Sequence, residues 1–291
     1  MCEYCFRQMK EGEFERLRPV WKKGFGDSDE LIDSFCDRML HTKDVQLALC
    51  CGEPVAMVVL LLTVLCTQDG AEESAGCIYA LTTLPEQRGK GIAARLIGSV
   101  ADRRRADGIK SIAISPDGPG LFQYYAGQGW RNAFSVREIE VSAEGAAARA
   151  VSVGAGAYTV LREKLLEGRD HIRWDERAVG FQEWICRDSG GGLFTFQAAE
   201  PCCAAVEYDE GGRLLACELL APDEFLLPCA AGLLEHFSEK QIRLRMPAWL
   251  GEKLGVEVLP FGMLLPEGKT PSPRFCRLTA RPMAYMGFDF C

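Results

Sequence analysis

Histidine is scarce. The chain holds only His41, His171 and His236, far apart among 291 residues. A histidine-based metal site at finger-like spacing, or a Ser-His-Asp triad, has little support. Long apolar runs are missing as well. The longest extends only from Val55 to Cys66, well short of the ~20 helical residues that cross a bilayer. Basic charge is not in excess. Lys and Arg number 33 against 41 Asp and Glu, for a net charge of −8. That balance argues against wholesale binding of nucleic acid or an anionic membrane, and it mildly favours a cationic partner. The stretch from Met1 to Met9 lacks a basic start followed by an apolar segment, so no secretory signal is expected and a cytoplasmic location is the simplest reading.

What is present suits a soluble globular protein, with 48% hydrophobic and 25% charged residues. The length suits two domains. Cysteine is plentiful, at 14. Most thiols, including Cys36, Cys50, Cys51, Cys66, Cys77 and Cys217, sit in apolar segments and read as small hydrophobes. Cys2 and Cys5 have the spacing of a metal or redox pair, but no second pair follows. Their alternation with Tyr4 and Phe6 suits a first strand.

Periodicity predicts alternating elements in the first half. Strands are expected at 3–9, 45–51, 55–66, 76–84, 109–115 and 131–141, and helices at 13–23, 28–40, 92–106 and 119–127. The stretch 142–157 is rich in Ala, Gly and Ser and has few large residues to bury, so it reads as a linker. Beyond it, strands are expected at 193–197, 204–209, 214–220, 240–246 and 256–265, with helices at 225–237 and 248–254. This second half repeats the order of 55–141. The punctuation before the main helix also recurs, as Leu84-Pro85-Glu86 and Ala221-Pro222-Asp223.

One junction carries chemistry. Gln87 to Ala93 leaves a strand and opens a helix, where backbone N–H groups have no intrahelical partner. Those donors and the helix dipole favour an anion. Gly89 and Gly91 allow a tight turn and close approach of a bulky ligand, and Arg88 and Lys90 add positive charge. A phosphate-bearing ligand follows. The segment is neither a P-loop nor a three-glycine dinucleotide fingerprint.

The same residues, Arg88-Gly89-Lys90-Gly91-Ile92-Ala93, are similar to the signature of GNAT-type acyl-CoA N-acyltransferases: Gln or Arg, two residues, Gly, one residue, then Gly or Ala. A second mark lies downstream. Tyr125, with Gly129 and Trp130 after it, resembles the family's tyrosine followed by Gly and an aromatic residue. The order of elements over 1–141 also matches. The resemblance implies an α+β (α/β layered) fold with two tandem GNAT-like domains, each a mixed central sheet flanked by helices, at 1–141 and 158–291.

It implies an acyl-CoA-dependent N-acyltransferase, most simply an acetyltransferase. Acetyl-CoA would be the co-substrate, a small-molecule or peptide amine the acceptor, and no metal would take part. The CoA pyrophosphate would rest on Arg88, Gly89, Lys90, Gly91, Ile92 and Ala93. Pantetheine would run along Leu81, Thr82, Thr83 and Leu84, with a backbone N–H near Thr83 polarising the acyl carbonyl. Tyr125 would protonate the departing thiolate, with Tyr124 as rival. Tyr79, Glu138, Glu140 and the C-terminal carboxylate of Cys291 are the candidates for a base.

Two departures stand out. The family's asparagine before the tyrosine helix is replaced by the region of Ser115 and Asp117. The second half puts Asp223 and Glu224 where the glycine loop should be, so it is expected to be degenerate. The alternative reading is a non-catalytic acyl-CoA-binding protein. Arg103, Arg104 and Arg105 suit a helix C-terminus, and Trp21 and Phe25 are expected in the core.

Overall fold

The computed structural model describes residues 3–142, 145–268 and 270–290. It divides into two compact units. The first holds Met1–Val64, Glu73–Arg131 and Leu264–Thr270; the second holds Leu65–Glu72, Asn132–Met263 and Pro271–Cys291.

The first unit begins with β1 (Tyr4–Gln8), α1 (Phe14–Phe25), α2 (Asp29–Arg38) and β2 (Val45–Cys50). It continues with β3 (Glu53–Cys66), β4 (Glu72–Thr83), α3 (Ile92–Ala106), β5 (Ser111–Ile114) and α4 (Gly118–Gly127). The strands lie side by side in chain order. β1–β2 and β2–β3 are antiparallel, and β4–β5 is parallel. Residues Val55–Leu60 are all buried, which is why β3 reads as a continuous apolar run rather than an alternating one. α1 buries Leu17, Val20 and Trp21 on one stripe. α2 starts where Ser28 Oγ accepts from the Leu31 amide at 3.1 Å, the expected N-cap bond. The expected helix at 92–106 is found at those bounds.

The second unit contains β6 (Arg131–Val141), β7 (Arg149–Val153), α5 (Ala155–Leu165), β8 (His171–Arg173) and α6 (Glu176–Asp188). It continues with β9 (Gly192–Gln197), β10 (Cys203–Tyr208), β11 (Leu214–Leu220), α7 (Leu226–Phe237), β12 (Ile242–Pro247), β13 (Val258–Leu265) and α8 (Pro273–Ala280). Its strand order is β13-β6-β12-β11-β10-β9-β7. β11 and β12 are parallel, and α7 joins them. The repeat of pattern is therefore a repeat of structure at this point: β4, a 3-10 turn at Pro85–Gln87 and α3 correspond to β11, a 3-10 turn at Asp223–Phe225 and α7.

Several parts of the chain differ from or add to expectation. The stretch 142–157, read as a linker, carries strand β7 and the first turn of α5. Helices α5, α6 and α8 and strand β8 lie where periodicity gave no signal. The expected helix at 248–254 is only a 3-10 turn at Glu252–Leu254, between Gly251 and Gly255, both at positive φ. Finally, Arg103–Arg105 forms the last turn of α3 as expected, and all three side chains are also tied to other elements. Arg104 is buried against Asp44 and the Lys43 carbonyl, Arg103 donates to Gln8 Oε1 at 2.5 Å and Arg105 donates to the Pro266 carbonyl at 2.6 Å. The twelve described cysteines are free thiols; Cys2 lies outside the described residues, so the Cys2–Cys5 pair is not seen. Among the described residues no helix is long and apolar enough to cross a membrane.

Candidate active site

The C-terminal edge of β4 and β5 is where the first unit opens. The two strands pair from Ala75 opposite Ser111 to Ile78 opposite Ile114. β5 ends there, while β4 continues to Thr83. The segment Tyr79–Thr83 thus offers its backbone on the side β5 has left, a template for an extended ligand. The break coincides with a backbone outlier: Ala80 has φ of 49°. A left-handed conformation costs a non-glycine residue about 1–2 kcal/mol, and it turns the peptide groups just where strand pairing stops.

Side chains beyond that point alternate as a strand requires. Thr82 faces α1. A Cβ added to Gly24 would lie 2.1 Å from Thr82 Oγ1, so glycine is what lets α1 approach β4. Thr83 is buried, and its Oγ1 has no hydrogen-bond partner. Buried polar atoms are rarely left so, and a ligand is one way to satisfy them. Leu81 and Leu84 are half-buried, and the Leu84 amide donates to the Val55 carbonyl at 2.9 Å.

The loop that follows is braced from within. Arg88 Nε donates to the Thr83 carbonyl at 3.1 Å. Lys90 Nζ donates to Gln87 Oε1 at 2.8 Å, which also receives the Tyr4 hydroxyl at 2.8 Å. The two basic residues therefore hold the loop as well as charging it. Gly89 and Gly91 have φ of 75° and 71°, so both need the freedom of glycine. A Cβ at either would meet no protein atom within 4 Å; the space over the loop is open. Gly91 caps α3 without a side-chain hydrogen bond. The first-turn amides from Ile92 and Ala93 onward have no acceptor four residues back inside the helix, and the dipole adds to their pull on an anion.

Because β4 and β5 are parallel, both end at the same edge. α3 starts from the first and α4 from the second, so two helix N-termini share that edge. Tyr125 lies two turns into α4, about 10 Å along its axis. It is 5% exposed, against 45% for Tyr124. Its ring packs edge-on against Trp130 and Tyr124, with centroids at 5.7 and 5.2 Å. Burial, with the nearby Tyr124 as a smaller cause, pushes the Tyr125 phenol above its ordinary range, so it keeps its proton at all working pH values. The Tyr125 carbonyl also accepts from the Trp130 amide at 3.1 Å, which ties the two parts of the second sequence mark together.

The other candidates are placed less tellingly. Tyr79 is half-buried in an aromatic cluster, 5.0 Å from Phe35 and 5.9 Å from Trp21 between ring centroids. Trp21 is fully buried and donates to Asp27 at 2.6 Å, a core residue; Phe25 is 47% exposed, contrary to a core role. In the second unit, Glu138 is held by Arg245 at 2.7 Å and Glu140 is exposed. Cys291 and its carboxylate lie outside the described residues. Asp117 opens α4 without a side-chain capping bond. Asp223, in the second unit, accepts from the Gly251 amide at 2.9 Å, a structural use for an acid at the place of the glycine loop. Sequence reasoning missed Ala80 and Gly24. No spacing marks either one, since each matters only through a backbone angle or a close approach.

A parallel pair thus parts before a glycine loop and an uncapped helix N-terminus, and comparison with known proteins bears on the fold that carries them. Residues 5–133 match the family model of the acetyltransferase (GNAT) domain. Over that segment the chain is similar to the GNAT acetyltransferase domain. Solved structures of similar fold include a GCN5-related N-acetyltransferase from Kribbella flavida, at 16% identity over 90% of this chain and 71% of that one, with a TM-score of 0.69. Eis1 from Mycobacterium abscessus aligns at 12% identity over 89% of this chain and 73% of that one, with a TM-score of 0.67. A GCN5-related N-acetyltransferase from Anabaena variabilis aligns at 13% identity over 90% and 72%, with a TM-score of 0.67. At these identities the likeness is one of fold. A search of curated proteins finds no match.

Proposed function

We propose that this protein is an acyl-CoA-dependent N-acyltransferase, using acetyl-CoA by preference, and that its acceptor is a small-molecule or peptide amine. The observation that carries the reading is the open flank of Tyr79–Thr83 leading directly into the Gly89–Gly91 turn and the bare start of α3. A long ligand with a thioester at one end and a pyrophosphate at the other suits that path. The pyrophosphate rests on the amides of Arg88–Ala93. Pantetheine adds to β4 along Leu81–Leu84, where the Thr83 hydroxyl gains the partner it lacks.

The amine attacks the thioester carbonyl directly while both substrates are bound. Charge develops on the carbonyl oxygen and is met by a backbone N–H of β4 near Thr83. The adduct collapses to the amide and expels the CoA thiolate, and the proton lost by the attacking nitrogen passes to solvent. Tyr125 donates its proton to the thiolate sulfur and regains one from solvent before the next turnover. Burial that raises the phenol also raises the thiol formed beside it, so transfer depends on placement more than on the ordinary acidities. The protein's main contribution is to hold the amine and thioester together. The net charge of −8 favours a cationic acceptor.

The test is thiol release from acetyl-CoA across a panel of amines, with CoA binding measured in parallel by calorimetry. Release with at least one amine is the expected result. Tight CoA binding without release by any amine would instead establish the non-catalytic acyl-CoA-binding alternative. Failure to bind CoA would overturn both.

A further inference from the structure

The second unit gathers three metal-ligating side chains that the sequence keeps far apart. Cys66 ends β3, Glu163 lies in α5 and His171 starts β8. Their donor atoms all lie within 4.8 Å of one another. The three line a cavity of about 360 Å³ together with Thr67, Glu72 and Arg169.

Two of the donors are aimed by neighbours. His171 Nδ1 is 2.9 Å from the Arg169 carbonyl. A carbonyl can only accept, so Nδ1 carries a proton and Nε2 is the nitrogen left to bind something else. Nε2 faces Glu163 Oε2 at 3.1 Å, and Cys66 Sγ lies within 4.8 Å of both. The second carboxylate oxygen, Oε1, is occupied by Arg162 Nη1 at 2.9 Å, which leaves Oε2 turned toward the cluster. An imidazole fixed through its far nitrogen and a carboxylate fixed through its far oxygen are the usual outer support of metal ligands.

Most of the nearby cations have partners of their own, Arg162 being shared between Glu163 and Glu218, while Lys164 also lines the cavity. Arg173 is paired with Glu72 at 2.6 and 2.8 Å, and the Arg169 guanidinium lies over the Trp249 ring at 5.2 Å.

The donor set selects the ion. Calcium and magnesium take oxygen ligands, and copper(I) favours sulfur. Zinc accepts a mixture of thiolate, imidazole and carboxylate, and three protein ligands leave it a fourth position. One thiolate and one carboxylate also balance its two positive charges. We infer that Cys66, Glu163 and His171 bind one zinc ion, its fourth position open to the cavity. The ion clasps the end of β3 to α5 and β8. Binding replaces the thiol proton of Cys66 and any proton on His171 Nε2, and both leave to solvent.

The test uses the untagged full chain. Expected are one zinc per chain by atomic emission after dialysis, and a thiolate-to-metal charge-transfer band when cobalt(II) is substituted. Both should be lost in Cys66→Ser and in His171→Asn. Glu163→Gln should weaken zinc binding by roughly tenfold or more. Cys5→Ser, which disables the rival Cys2–Cys5 pair, should change nothing. Unfolding of Cys66→Ser with the midpoint of chelator-treated wild type shows that the variant folds. Absence of the cobalt band in folded wild type, zinc binding that survives Cys66→Ser, or binding abolished by Cys5→Ser would each overturn the inference.

Discussion

Replacing Gly91 with alanine separates the two things the glycine does. Its φ is 71°, and a Cβ there would meet no protein atom within 4 Å. The stability cost is therefore conformational alone. A left-handed L-residue costs about 1–2 kcal/mol, partly offset by the ~0.4–1 kcal/mol that alanine gains by restricting the unfolded chain. The net loss should be about 1 kcal/mol. Gly52, in the turn between β2 and β3, supplies the control. Its φ is 87°, and the space beside it is equally open, so Gly52→Ala should cost a similar amount.

Backbone strain present with and without ligand does not change affinity. Only Gly91→Ala should weaken CoA binding, because its methyl enters the space over the loop and turns the first amides of α3 away from the pyrophosphate. Losing one hydrogen bond to a charged group costs about 1.5–3 kcal/mol, on the order of 10- to 100-fold in Kd. Urea unfolding measures the first quantity, and calorimetry with CoA the second. If Gly91→Ala raised the Kd no more than Gly52→Ala does, the phosphate cradle would be misplaced.

Tyr125→Phe should keep the ring packing on Trp130 and Tyr124 and leave CoA affinity unchanged, while kcat falls by about 100-fold; steady-state turnover equal to wild type at every pH would remove Tyr125 as the acid. Gly24→Ala should destabilise by about 1–3 kcal/mol despite alanine's better helix propensity, because its Cβ meets Thr82 at 2.1 Å. Adding Thr82→Ala should restore most of the loss in urea unfolding, and a strictly additive double mutant would mean that the helix had shifted instead. Glu207, on β10, is buried and pushed up to about 7, burial being the main cause. Between the ordinary carboxyl value of 4.5 and that raised value, the folded chain binds more protons than the unfolded one. Stability from this group is therefore highest in acid and falls as pH rises through the window, by up to about 3 kcal/mol. Glu207→Gln should flatten that slope relative to wild type in urea titrations at about pH 5 and pH 8; equal slopes would show that Glu207 ionises normally.

The sequence was most legible where one local rule decided the structure. α3 could be bounded from its apolar stripe and the glycines before it, and β3 from its unbroken apolar run. The loop and Tyr125 belong to continuous segments, so spacing alone put them on the right elements. The second unit was harder because its buried faces are not apolar throughout. α5 turns Tyr158 and Arg162 inward, and Arg162 is fully buried against Glu218 at 3.0 Å. α6 buries Gln182 on the same stripe as Val179 and Cys186, and Gln182 bonds Glu207 at 3.2 Å. A hydropathy pattern cannot register a helix whose inward positions are charged or polar and satisfied by partners distant in sequence.

The caps were nonetheless written in plain residues. Asp175 accepts from the Ala178 amide at 2.8 Å, and Ser272, followed by Pro273, accepts from the Phe275 amide at 3.2 Å. These are helix-start signals by residue type, and they mark α6 and α8 where periodicity fails. The same contrast separates the two sites. The proposed CoA cradle needs backbone amides and glycine, which a contiguous motif can encode. The Cys66, Glu163 and His171 cluster needs three side chains from three elements, and only the fold of the second unit puts them in one place. A scarcity of histidine therefore argues against a metal site only when the ligands must be close in sequence. One histidine suffices when its far nitrogen is already fixed by a carbonyl.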